Sequence, residues 1–542
     1  MCRDHLRDGM TVHVASTMSR PNALLRVAAR TLAGRASFTV SSNAFHANLH
    51  AWTMAGLVRH AITGFAGDTY PSSRPNPLYS RLPQGDPFTV EEWSLLTLLQ
   101  RLIAGAGGNP VAVTTSLVGT DLEALHEKHG RSRRLTGAGR GAVVIPALCP
   151  DVTLLHATFA DRQGNLYLNG PVGEGWWGAM AARVGVVATV EMVVDTPPRG
   201  GVSIPADRVL ALAPCPYGAH PQGLPPWPEG RFEGYLDDYD FLVDLARACA
   251  TPEGREDWYR RWVTEVPGQD AMMRRLGGDR LARLRDGRFP ASHPAGGEPT
   301  WRERHVLLAA RAIVDRVLER GYRAILAGIG TSHLAAWLAA AQLRERGCPV
   351  QLHAELGLVD LQAAPGDVFL FSQRHAARCR DHAGTLEVLG ALASGGRGRA
   401  LAVLSAGEID AGGRINSSRT ADGAFLVGSG GANDFASHLD TLVVAAASPR
   451  RFVPRVAFAT CPGHNVHTVA TQYGRLARGG ADEPFVLRSW LPPAGDPAAD
   501  PITTLRERTR WPVLDTPVEP EKPFSDKEIG TLREFDPEGV YR

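Results

Sequence analysis

Residues 423–439, GAFLVGSGGANDFASHL, are the stretch on which the reading of the fold turns. The apolar run 424–427 predicts a buried strand, Gly428-Ser429-Gly430-Gly431 a turn, and the following residues a helix. Glycine suits backbone that takes positive φ or lies against a ligand, and a helix start leaves N–H groups free to face negative charge. Such a turn can hold an oxyanion; the alternative is a tight strand-to-helix connection without chemistry. Asn433 and Asp434 either cap the helix or contact a substrate, because loops at the ends of a rigid sheet carry binding groups.

On either side of this stretch, strand-like and helical segments alternate. In the first half, residues 10–15, 37–41, 110–114, 152–157, 184–194 and 208–213 are rich in Val, Ile, Leu and Thr, with helical periodicity at 23–32 and 46–59. Residues 285–300 are a Gly/Pro-rich linker, ending two expected domains, 1–284 and 301–542. An amphipathic helix over 301–320 opens the second, followed by strands at 324–327, 350–354, 367–371, 401–404, 424–427, 441–445 and 456–459. From about residue 492 the chain predicts an extended arm with a short helix that adds no core. Alternating strands and helices imply right-handed βαβ units, so the expected class is α/β: two tandem related open α/β domains with mostly parallel sheets.

Bulk properties agree. A chain of 542 residues exceeds one ordinary core. With 44% hydrophobic and 21% charged residues it has a globular composition, and a net charge of +2 gives no reason to expect nucleic acid as partner. The opening residues lack the apolar core of a secretory signal, and apolar runs stay short of the ~20 residues that span a bilayer. The expectation is a soluble cytoplasmic protein without a membrane partner, its seven cysteines reduced.

The halves echo each other. TLLHATFADRQGNLYLNG from Thr153 and LAVLSAGEIDAGGRINSS from Leu401 each place Asp-x-x-Gly (Asp161 and Gly164; Asp410 and Gly413) after an apolar strand, and a glycine-rich turn follows each. A repeat this long is a duplicated domain, with the site expected between the copies. The alternative is chance, since D-x-x-G is a common hairpin signal.

Several residues are candidates for chemistry. Residues 350–354 run into Glu355-Leu356-Gly357, where Glu355 is either a nucleophile or base at the ligand-facing sheet edge, or a solvated strand-end residue. Ligands gather at the carboxyl ends of parallel strands, which brings in Ser16, Thr17, Ser41, Ser42 and Asn43. AILAGIGTSHLAA (324–336) contains a second glycine turn, Gly328 and Gly330, but His333 stands where a dinucleotide fingerprint has its third glycine, so NAD binding is rejected. No Walker phosphate loop occurs. Cys461, His464 and His467, or His375 and Cys379, are too sparse for a metal site, and Gly428-Ser429-Gly430 lacks nucleophile-elbow spacing. Trp176 and Trp177 either line an acyl pocket or pack.

With both halves laid out, the sequence resembles the family I coenzyme A transferases, in their glutaconate CoA-transferase branch. Residues 5–23, 143–170 and 206–223 are similar to the α-type subunit. AGIGT (327–331), HAELG (353–357) and INSSRTADGAFLVGSGGANDFAS (415–437) are similar to the β-type subunit. The resemblance implies a CoA-transferase/NagB-like fold with the two subunit types fused, the active site at their interface, and a homo-oligomer. It implies that Glu355 attacks an acyl-CoA thioester to give an acyl-glutamyl anhydride, then a glutamyl-CoA thioester that a carboxylate acceptor discharges. Backbone at Gly430, Gly431 and Ala432 would stabilise the oxyanions; Gly428, Asn433, Gly328 and Gly330 would join them or bind CoA. The substrate contacts would be Ser16, Thr17, Ser41, Ser42 and Asn43, with no permanent cofactor and no metal. Some members of the branch are hydrolases that open a ring in steroid-derived CoA thioesters, and a non-catalytic binding protein on the same fold is a third reading. Two departures stand out: Ala15-Ser16-Thr17-Met18 replaces the family's Gly-Gly-Phe turn, and His353-Ala354 precede the glutamate in place of the family's usual neighbours.

Overall fold

The computed structural model describes the chain except residues 136, 138–140, 200–201, 288–295, 396–397 and 542. Half of the linker expected at 285–300, residues 288–295, therefore lies outside the described residues; its first residues end the helix Gly278–Asp286.

The first half is built on a sheet whose parallel strands lie in the order Val209–Pro214, Gly185–Val194, Val152–Asp161, Thr11–Val14, Phe38–Phe45, Val58–Ala66, Thr89–Glu92. Val152–Asp161 is buried at every position, as a central strand covered on both faces must be, and its sequence is mostly apolar without polar alternation. The second half repeats the order: Val466–Thr471, Asp440–Val444, Ala400–Ser405, Ala324–Ala327 and Gln351–Ala354 are parallel neighbours. Beyond Gln351–Ala354 the direction reverses, through the antiparallel strands Leu358–Leu361 and Cys379–His382.

The helix Trp301–Arg320 has the bounds its periodicity predicts. Thr300 accepts from the Glu303 amide while Glu303 reaches back to the Thr300 amide, a capping box whose Ala replacement costs ~1 kcal/mol. Its apolar face packs on helix Thr331–Glu345 and strand Val466–Thr471.

Several expectations fail for identifiable reasons. Residues 424–427 form no sheet strand. Their amides and carbonyls are spent on loops of both halves: Phe425 N–H donates to the Ser80 carbonyl at 2.8 Å, and the Val427 carbonyl accepts from Ala66 N–H at 2.8 Å. Their apolar character serves the contact between halves. Residues 367–371 are buried as an irregular loop in the core, and residues 456–459 bond across to Asp121 of the first half. The helix expected over 46–59 shrinks to His50–Met54, because Val58 already opens the next strand. Residues 110–114 form a strand, Val111–Thr114, in a separate antiparallel sheet. The C-terminal arm does contribute core: Leu505, Trp511, Leu532 and Tyr541 join the second half's cluster, and Glu519–Pro520 adds an edge strand. No helix among the described residues is long and apolar enough to cross a membrane.

Candidate active site

The carboxyl ends of the parallel strands from both sheets open onto one cavity of about 690 Å³. The first half lines it with Ser16 and Thr17, just past strand Thr11–Val14, and with Asn43 on strand Phe38–Phe45. The second half brings Gly328 and Gly330 beyond strand Ala324–Ala327, Glu355 beyond Gln351–Ala354, and Gly428 to Ala432.

Glu355 sits in the hairpin turn that joins Gln351–Ala354 to Leu358–Leu361. Its carboxylate lies against Gly431 so closely that a methyl group placed there would stand 2.1 Å from Oε2. The Gly431 amide donates to it. Burial, with the nearby Asp434 charge adding, pushes its pKa up to about 7 against the pull of that amide. A carboxylate so placed is partly ionised at neutral pH and poorly solvated, which suits a nucleophile or a base.

The loop that faces Glu355 is itself clamped onto the first half. Gly430 N–H donates to the Gly64 carbonyl at 2.8 Å and its carbonyl accepts from Leu95 N–H at 3.1 Å. Gly428 has φ +94°, and an added Cβ would fall 2.7 Å from the Gly64 carbonyl, so both conformation and space demand glycine. Asp434 accepts from Ser94 Oγ at 2.6 Å and Leu96 N–H at 3.0 Å. It therefore caps helix Leu95–Ala106 of the first half, not the helix it belongs to. Burial raises its pKa to about 6 although both bonds favour the charge.

These commitments correct several expected roles. Gly430 N–H is used by Gly64, Ala432 N–H donates to the Ser429 carbonyl at 3.1 Å, and Gly428 N–H to the Ser417 carbonyl at 2.8 Å. None of the three is open to an oxyanion; the Gly431 amide is the one aimed at Glu355. Gly328 N–H is taken by the Val403 carbonyl and Gly330 N–H by His333 Nδ1, so those two line the cavity as wall. Asn433 does not reach the cavity: fully buried, it accepts from Leu117 N–H at 2.9 Å and donates to the Thr460 carbonyl at 2.8 Å, a bridge between halves. Ser41 and Ser42 are buried too, on His13 Nδ1 and the Val14 carbonyl, since the strand they were expected to end runs on to Phe45. Ser16 lines the cavity, but its Oγ and N–H both donate to Glu174 Oε1, at 2.8 and 2.6 Å. Trp176 and Trp177 pack edge to face outside the cavity. His375 is held between the Ala364 amide and the Asp367 carbonyl, and among the described residues no group of three or more His, Cys, Asp and Glu could hold a metal.

Sequence reasoning missed Arg20, His46, Arg74, Arg302, Arg450 and Arg451, which also line the cavity. Only Arg20 carried a usable signal, lying four residues past Ser16 in the substituted Ser16-Thr17-Met18 turn. The others come from loops and a helix start that the fold alone brings together.

These features define a two-lobed α/β scaffold with a carboxylate at the crevice between paired parallel sheets. Residues 1–204 match the family model described as coenzyme A transferase. One of the polypeptides of the 3-oxoadipate CoA-transferase of Pseudomonas knackmussii is 34% identical over 178 residues, 32% of this chain and 58% of that protein. One of the polypeptides of the glutaconate CoA-transferase of Acidaminococcus fermentans is 29% identical over 152 residues, 27% of this chain and 45% of that protein. The chain spans about half the length of the curated relatives it matches. An acyl-CoA transferase from Escherichia coli O157:H7, solved as a thioester complex with CoA, covers 98% of this chain and 94% of its own with a TM-score of 0.67 at 14% identity, a match of fold. Over residues 1–204 the chain is thus similar to the coenzyme A transferases, and as a whole it shares the fold of a two-lobed acyl-CoA transferase.

Proposed function

We propose that this chain, as two domains over residues 1–284 and 301–542, moves CoA between an acyl-CoA thioester and a carboxylic acid, with Glu355 as the covalent nucleophile. The observation that carries this reading is the Glu355 carboxylate, held against Gly431 with its pKa pushed up to about 7, on a cavity of about 690 Å³ lined by both halves. The raised pKa leaves a basic oxygen on the cavity wall.

In the first step a Glu355 oxygen bonds to the thioester carbonyl carbon and the C–S bond breaks, giving an acyl-glutamyl anhydride and CoA thiolate. The thiolate then attacks the glutamyl carbonyl and releases the first acid as carboxylate, leaving a Glu355–CoA thioester. An acceptor carboxylate attacks that thioester, and the returning thiolate takes the new acyl group and frees Glu355. Each step exchanges one acyl–heteroatom bond for another and consumes no proton. The Gly431 N–H, aimed at the carboxylate in the resting state, is the donor next to each tetrahedral oxyanion, and one such donor is worth about 3 kcal/mol. The exposed Arg74, Arg302 and Arg450 at the rim would face the CoA phosphates.

Incubating the protein with an acyl-CoA alone and mapping the mass of the peptide bearing Glu355 tests the reading. A CoA thioester on Glu355, absent from Glu355→Gln, is the expected result. Steady CoA release without acceptor and without adduct would make the protein a hydrolase instead, and tight binding of acyl-CoA without any turnover would make it a binding protein.

A further inference from the structure

The seam that brings Gly431 to Glu355 is held by a carboxylate that the transfer chemistry leaves unused. Strand Thr89–Glu92 ends in two adjacent glutamates with different partners. Glu91 stays within the first half, its carboxylate 2.8 Å from Arg101 Nη1 and 3.0 Å from Arg131 Nε. Glu92 is 4% exposed and, among the described residues, has no cation within ion-pair distance; Arg419 acts on it only through space. Its donors come from the other half. Ser418 Oγ donates to Oε1 at 2.5 Å, and the Ser429 amide donates to the same carboxylate. Burial pushes the Glu92 pKa up to about 6 although both bonds favour the charge.

The two donors belong to one unit of the second half. Residues 417–418 run beside 426–428: Leu426 N–H donates to the Ser418 carbonyl at 2.9 Å, and Val427 and Gly428 N–H donate to the Ser417 carbonyl at 2.9 and 2.8 Å. Ser429 then leads through Gly430 to Gly431, whose amide meets Glu355. Glu92 is fixed on its own side as well. Its carbonyl accepts from His126 Nε2 at 2.7 Å, and its partner on the neighbouring strand is Thr63, next to the Gly64 that takes Gly430 N–H. Burying a charge without a cation is costly, and what the charge returns is a pair of bonds about twice as strong as neutral ones. Resting on the transferase reading, we propose that Glu92 is a positioning residue for the chemistry of Glu355: anchored in the first half, it grips Ser418 and Ser429 and so fixes the turn that aims the Gly431 N–H. Glu92 itself does not line the cavity and acts only through that turn. The donor is therefore in place only while the two halves are docked.

Rapid quenching of the full-length protein with saturating acyl-CoA, taken as whichever of acetyl-, butyryl- and succinyl-CoA labels Glu355 fastest, separates position from folding. With the Glu355–CoA adduct counted by mass spectrometry, the amplitude gives the number of competent sites and the rate constant reads their geometry. Glu92→Ala should lower the rate constant at least about tenfold with the amplitude within about twofold, since a displaced oxyanion donor forfeits part of the roughly 10²–10³-fold that a missing one costs. Glu92→Gln should stay within about threefold of the wild type, because its amide oxygen still accepts from Ser429 and its amide nitrogen can donate to Ser418 Oγ. A lower amplitude or melting temperature with an unchanged rate constant per labelled site makes Glu92 merely structural and overturns the proposal, as does Glu92→Gln as slow as Glu92→Ala. Should Glu92→Ala not fold, Ser418→Ala removes one of the two grips: slowing of about threefold or more supports the proposal, and an unchanged rate constant overturns it. Amide hydrogen exchange reads the grip without turnover. In Glu92→Ala the peptide 428–434 should exchange at least about tenfold faster while strand Asp440–Val444 keeps its protection. Equal labelling rates and equal exchange in variant and wild type leave CoA transfer standing and remove the role of Glu92; selective loosening of 428–434 in a protein that forms no adduct leaves the grip and removes the transferase reading.

Discussion

The two halves share one frame and use it differently. In each, a first strand (Thr11–Val14; Ala324–Ala327) leads through a helix (Asn22–Leu32; Thr331–Glu345) to a parallel neighbour (Phe38–Phe45; Gln351–Ala354). In each, the strand on the other side ends near an Asp-x-x-Gly turn: Gly164 N–H donates to the Asp161 carbonyl at 3.1 Å and Gly413 N–H to the Asp410 carbonyl at 2.8 Å, with φ of +92° and +80° at the glycines. Divergence begins after the second strand. The first half continues it to Phe45 and goes on to another parallel strand; the second half turns back at once through an antiparallel hairpin. That hairpin turn holds Glu355, whereas the corresponding strand of the first half offers Asn43.

The glycine-rich stretches diverge in the same way, the one expected as a turn at 173–178 being the start of the helix Gly173–Ala181. Gly173, Gly175 and Gly178 lie against Thr17, Ala15 and His13, where any Cβ would collide, so in the first half glycine lets a helix pack tightly on a strand. In the second half Gly431 turns the same kind of space toward Glu355. The shared frame fits a duplication, and the reversed connection of the second half sets Glu355 on the crevice.

The comparison can be broken first at Glu355. Glu355→Gln should lower kcat by at least about 10³-fold, the usual cost of losing a nucleophile that splits one step into several, and steady-state assay with acyl-CoA and acceptor would show it. Loss below tenfold would put the reactive group elsewhere. Gly431→Ala should cost about 10²-fold in kcat with unchanged secondary structure by circular dichroism, because the methyl group displaces the carboxylate by about an ångström. The matching change in the first half, Gly173→Ala, should show up in melting temperature, since its Cβ would meet Thr17 at 2.4 Å. Equal kinetic effects from both would erase the distinction.

The pH dependence sharpens the contrast. On the proposed mechanism Glu355 acts as carboxylate, so kcat/KM should rise with unit slope as pH passes through about 7 and level off above it. The stability effect has the opposite sign. A carboxyl whose folded pKa lies above its unfolded value disfavours folding once the unfolded chain ionises, and this cost grows from about pH 4.5 until about pH 7. Glu355→Gln should therefore raise the melting temperature at pH 8 more than at pH 5, measured by scanning calorimetry. The smallest effect is expected at the shared turns: Asp161→Ala and Asp410→Ala should each destabilise by about 1–3 kcal/mol in urea titration, through lost bonds to backbone amides, with kcat unchanged.

The sequence by itself determined the α/β class, the duplication, the helix Trp301–Arg320 and the neighbourhood of Glu355, because apolar periodicity, capping residues and the Asp-x-x-Gly turns are local signals. It placed Glu355 at a strand exit but could not distinguish a ligand-facing carboxylate from a solvated one, since that depends on what stands opposite. Tertiary structure decided the rest. It made 424–427 a seam between halves, gave Asp434 to a helix of the other half, closed the amides of Gly430 and Ala432, hid Ser41, Ser42 and Asn433, and buried Arg20 Nη1 without a partner. Hydrogen-bond partners more than three hundred residues away in the chain leave no local pattern, and burial, which raises Glu355 and strands Arg20, is a property of the assembled crevice.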